Sequence, residues 1–188
     1  MKHGVLVLAV TLMIAAGPQQ SQGPRGTVLV ANMDDDSVWL IDLPSGTLRA
    51  TLPTRMAPHE VATSNDGTMA AVTNYGDEQG PGNLIQLIDV EPGSLTGELV
   101  VEGYERIHGV RFLPGDSLLA LTSEWTGDIL IVGVLDGEIR RVLSTLGRAS
   151  HMLALGGSWI YAANIVDGTV SRVDPAGDDA TFKFAKGG

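Results

Sequence analysis

Three histidines of this sequence recur in one slot. His59 lies in "PHEVATSNDGTMAAVTNYG" (58–76), His108 in "IHGVRFLPGDSLLALTS" (107–123) and His151 in "SHMLALGGSWIYAAN" (150–164). Imidazole titrates near neutral pH and is the commonest transition-metal ligand, so a ring of histidines has the chemistry to hold a metal or a small ligand. The competing reading is a packing role, with each ring nitrogen hydrogen-bonded to a neighbouring backbone, and the recurrence of the slot favours it. Tyr75 and Trp125 sit in loops near the slot and could stack on a sugar or a peptide, or pack between repeats. Asp77 adds a carboxylate to the same loops. Asp34, Asp35 and Asp36 lack the alternation and closing glutamate of a calcium loop and read as solvated charge. Ser64, Ser123 and Ser150 lie in no G-x-S-x-G setting, and no phosphate-cradling glycine loop occurs. The candidate ligand-binding residues are therefore His59, His108, His151, Tyr75, Trp125 and Asp77, with no catalytic residue, metal or cofactor assigned.

The elements that must position these residues follow a repeat. Asn32, Asn74, Ser123 and Asn164 end strand-like runs spaced 42, 49 and 41 residues apart. Asp42, Asp89, Gly133 and Asp174 end the next run, each 10 residues after its marker except for 15 in the second unit. The three histidines fall 17, 19 and 18 residues after that second marker. Each unit reads as four short strands, A to D, joined by turns such as "NDG", "PGD" and "LDG" that supply the positive φ of hairpin corners. The residue directly before each strand B marker is small (Ala31, Thr73, Thr122, Ala163), and strand C keeps Val38, Ile85, Ile129 and Val170. A period in the forties with four strands per unit predicts an all-β fold, a β-propeller of four-stranded antiparallel blades. The blades fall at 27–52, 59–101, 108–143 and 151–184.

Composition limits the partners. "GVLVLAVTLMIAAG" after Lys2 and His3 has the layout of a secretory signal peptide (1–17), followed by a polar linker (18–26). Export to the periplasm or the extracellular space is the expectation. Beyond residue 17 the chain keeps 11 Lys+Arg against 22 Asp+Glu, a net charge of −11. Such a balance repels nucleic-acid phosphate and anionic lipid, and no stretch beyond the leader is apolar enough to span a bilayer. With no cysteine, thiolate chemistry and disulfides are excluded.

"AVTNYG", "NLIQLIDV" and "VANMDDDSVWLIDLPSGTLRATL" resemble the YVTN-type propeller repeat. Its units run from a proline-histidine-glycine start through an S-P-D-G turn and "YVTN" to "VSVID". "PHEVATSNDGTMAAVTN" follows that pattern with Glu60 for glycine and Asn65 for proline; the later units keep His108-Gly109, then only His151 and Asn164. The resemblance spans residues 27–184. It implies an exported binding or scaffold protein, non-enzymatic, acting through its acidic, histidine-bearing face. The alternative it leaves open is a lactonase-like or metal-dependent propeller enzyme whose site needs further blades.

The first unit lacks strand A, so about four blades are present and the ring does not close. The expectation is an N-terminal part of a seven- or eight-bladed ring; the alternatives are a face-to-face dimer making an eight-bladed ring, or an open arc, the least favoured because open sheet edges invite pairing. The connections from D to A and from B to C share one face, which carries every histidine of the repeat together with "NMDDDS", "NYGDEQGPGN", "SEWTGD" and "NIVDG".

Overall fold

The computed structural model describes residues 23–177 and 180–185. The predicted signal peptide and residues 18–22 of the linker lie outside the described residues. Among the described residues, fifteen strands form four sheets, each a simple up-and-down meander. The first sheet holds β1 (Thr27–Asn32), β2 (Ser37–Asp42) and β3 (Leu48–Pro53). The second holds β4 (Pro58–Thr63), β5 (Met69–Asp77), β6 (Gly80–Asp89) and β7 (Ser94–Val100). The third comprises β8 (Ile107–Phe112), β9 (Leu118–Ser123), β10 (Asp128–Gly133) and β11 (Ile139–Ser144). The fourth comprises β12 (Ser150–Gly156), β13 (Trp159–Asn164), β14 (Thr169–Val173) and β15 (Ala180–Ala185). Among the described residues the first sheet has three strands and begins at strand B, as the repeat predicts.

Hydrophobic cores lie between the sheets, one at each blade-to-blade interface. Ala70 and Val72 of β5 pack with Val38 and Leu40 of β2, while Ala71 faces the other way into a cluster with Val110, Leu121 and Leu130. In β9, Leu119 and Leu121 join that cluster, and Ala120 packs with Leu153 and Ile160 of the fourth sheet. Both faces of an inner strand are thus buried, which explains near-continuous apolar runs such as "MAAV" and "LLAL".

One correction concerns the insertion in the second unit. "GDEQGPGN" reads as loop in the sequence, but it lengthens the β5–β6 hairpin, with Asp77 paired to Gly80 and Gly76 to Pro81. Gly76 and Gly82 sit back to back, and a Cβ on either would collide with the opposite backbone. Only glycine lets the two chains close into a ladder there. Tyr75 therefore lies within a strand and Asp77 at a hairpin tip, not in an open loop.

Candidate functional site

The three histidines owe their position to a local feature repeated in every full blade. Strand A carries a β-bulge between Pro58 and Val61 in β4, between Ile107 and Val110 in β8, and between Ser150 and Leu153 in β12. Each bulge contains the histidine and the residue after it. A bulge takes an extra residue out of the ladder and re-aims its side chain, and bulges recur beside functional sites for that reason. The residue two places before each histidine adopts a left-handed conformation: Ala57 at φ 48°, Arg106 at φ 50° and Ala149 at φ 54°. Its carbonyl accepts the N–H of the residue that follows the strand B marker, namely Tyr75, Glu124 and Ile165, each at 3.1 Å.

The backbone freed by the bulge is used to join blades. The Glu60 N–H donates to Thr73 Oγ1 (3.1 Å), and that hydroxyl donates to the His108 carbonyl of the next blade (2.9 Å). One blade on, the Gly109 N–H donates to Thr122 Oγ1 (2.7 Å), which donates to the His151 carbonyl (2.5 Å). The small-residue column of the sequence is thus a hydroxyl relay wherever it holds threonine.

The relay draws the imidazoles together. Ring centroids are 4.0 Å apart for His59 and His108, and 3.3 Å for His108 and His151. His108 is fully buried. Neither of its ring nitrogens has a hydrogen-bond partner among the described residues, nor does the buried Nδ1 of His59. For His108 the expected packing role, with ring nitrogens bonded to neighbouring backbone, is therefore not what joins the blades; the carbonyls of His108 and His151 do that work. Burial pushes His108 down to about 3, helped by His59 and His151 beside it, so the ring is neutral at physiological pH. Burial also lowers His151, against the opposing pull of Glu124.

Two carboxylates that sequence reasoning missed complete the cluster. Glu124 Oε2 lies 3.8 Å from His151 Nε2 and accepts a hydrogen bond from the Tyr75 hydroxyl at 3.0 Å. Burial raises the Tyr75 phenol and Glu124 raises it further, so it stays a donor. Its ring stands 5.3 Å from His59 and 5.6 Å from His108, with the Arg106 guanidinium 4.9 Å from its centroid. Glu60 approaches Arg111 at 3.9 Å. The available ligand atoms of His108, Glu124 and His151 all lie within 4.8 Å of one another, and so do those of His59, Glu60 and His108.

Of the six predicted site residues, the structure brings together His59, His108, His151 and Tyr75. Trp125 stands 70% exposed in the turn before β10, outside the ring cluster. The Asp77 carboxylate accepts the Gln79 N–H (2.7 Å) at the hairpin tip. Asp36 departs from the solvated-charge reading: its Oδ1 accepts the Ala57 N–H at 2.7 Å and ties the first blade to the second. A usable sequence signal for Glu124 existed, since it occupies the same slot as Tyr75, directly after the strand B marker.

With this geometry established, likeness to known proteins is confined to the fold. No protein-family model matches the chain, and no curated protein matches it by sequence. Among solved structures, it superposes on the hydrazine synthase of Kuenenia stuttgartiensis with a TM-score of 0.74 and 16% identity, over 90% of this chain and 53% of that one. The described blades form a β-propeller arc. A functionally unknown protein from Desulfotomaculum acetoxidans is similar at a TM-score of 0.71 and 11% identity, over 86% of this chain and 53% of that one. The chain thus spans about half the length of the solved structures it matches. No helix among the described residues is long and apolar enough to cross a membrane.

Proposed function

We propose that the protein is an exported, non-enzymatic propeller of the YVTN type that binds a ligand through the histidine-bearing end of its inner strands. The observation that carries this reading is His108, a fully buried imidazole with both nitrogens unpartnered among the described residues. A buried polar group without a partner costs about 1–3 kcal/mol, so a fold that holds one beside five further titratable side chains stores a binding capacity. The acidic composition, net −10 for the whole chain, favours cationic ligands.

Thermal shift of the purified chain against divalent metal salts, basic decapeptides and disaccharides tests the binding face. A shift in the wild type that disappears in the His59→Gln/His151→Gln double variant is the expected result. Identical responses of the two proteins to every probe would overturn it. Fractionation of a Gram-negative host tests export, and cytoplasmic protein that retains Met1 would refute that part.

A further inference from the structure

The arrangement of the cluster narrows the class of ligand. Three imidazoles and two carboxylates are present, with no thiolate in the chain. Calcium and magnesium take oxygen shells, whereas imidazole with one carboxylate suits zinc and copper(II). Glu124 is also prepared as a ligand. Its N–H is pinned to the Arg106 carbonyl at 3.1 Å, and its Oε2 is oriented by the Tyr75 hydroxyl. Outer hydrogen bonds of that kind fix ligating carboxylates in metal sites. The bulges hold His108 and His151 on adjacent blades with their rings in contact, and their ligand atoms and that of Glu124 lie within 4.8 Å of one another.

We propose that His108, His151 and Glu124 bind one divalent transition-metal ion, zinc or copper(II). His59 and Glu60 lie on the other side of His108 and enclose it. Three protein ligands leave a coordination position open, the arrangement in which a metal takes a water or an exogenous ligand. Tyr75 is a positioning residue that acts through Glu124. The inference rests on the reading of this end of the inner strands as a binding face.

The test uses the full chain, stripped with EDTA and dialysed, with His3→Ala in every arm so that the amino terminus contributes no imidazole. Isothermal titration with ZnCl2 and CuSO4 at pH 7.5 should give one ion per chain. Glu124→Gln and Tyr75→Phe should each weaken binding about 10–100-fold, and His151→Gln by at least as much. Copper(II) EPR of the loaded protein should show nitrogen hyperfine structure from two imidazoles, reduced to one in His151→Gln. Glu124, Tyr75 and His151 are only partly buried, and a thermal melt of each variant checks that it folds before titration. Saturable binding of equal affinity in all variants, or no saturable binding, overturns the metal site. If metals fail while a peptide or disaccharide still gives a histidine-dependent shift, the binding face stands without the metal. If every probe fails, both readings fall.

Discussion

Replacing His108 with leucine is expected to make the metal-free protein less sensitive to acid. In the folded state His108 is held at about 3, against an ordinary value of 6.5, because burial penalises its charge. Between those two values the unfolded chain binds a proton that the folded chain does not. Stability is therefore complete above about pH 6.5 and falls as pH drops toward 3. The slope is about 1.4 kcal/mol per pH unit, so at pH 5 this one ring costs about 2 kcal/mol, roughly a 30-fold shift toward the unfolded state. Leucine has a similar volume and no charge to gain. It also removes a ring with two unpartnered nitrogens, so at pH 7.5 the variant should equal or exceed the wild type in stability. Urea denaturation of both proteins in EDTA, at pH 7.5 and pH 5.0, supplies the four free energies. The loss on acidification should be about 2 kcal/mol larger for the wild type. His59, His151 and Tyr75, which surround the ring, are common to both proteins and cancel in the difference. Parallel losses, or a leucine variant that is the less stable at pH 7.5 by about 2 kcal/mol, would refute the reasoning.

Further outcomes follow from the blade junctions. Thr73→Val and Thr122→Val each strand a buried carbonyl and an N–H, and should cost about 1–3 kcal/mol in denaturant unfolding, with Thr73→Ser recovering most of it. Gly109→Ala should destabilise by about 1–3 kcal/mol, because its Cβ would come within 2.6 Å of the His151 carbonyl oxygen and 3.0 Å of Thr122 Oγ1. The same variant should weaken metal uptake in the titration above, since it pushes His151 away from His108. Trp125→Ala, at an exposed turn outside the cluster, should change the unfolding midpoint by no more than about 0.5 kcal/mol equivalent and leave metal binding intact.

The blades were legible because the period is carried by residues that each strand needs locally: a turn glycine, a small residue, a β-branched residue. Strand order and hairpin pairing follow from those alone. What the period could not show was distance between units. It makes His59, His108 and His151 equivalent, but equivalence does not say that their rings touch. That depends on the bulge, which one unpaired residue creates and no residue type announces. Thr73 and Thr122 registered only as small, because the value of their hydroxyls lies on the neighbouring blade. Glu124 stands beside the more conspicuous Trp125, and only the slot it shares with Tyr75 distinguishes it in the sequence. The added hairpin of the second unit is hidden in the sequence for the opposite reason. Its glycines look like loop residues and act as a zone of close approach.

The hydroxyl relay makes the imidazoles a gauge of curvature. The carbonyls of His108 and His151 are fastened to the blade behind them, so a small change in the angle between blades is read out as a change in ring separation. A mutation or partner that opens the arc would spread the rings, and one that tightens it would press them together. Grafting a single blade elsewhere would carry the histidine but lose the spacing. The smallest transferable unit of this site is two neighbouring blades with the threonine that joins them.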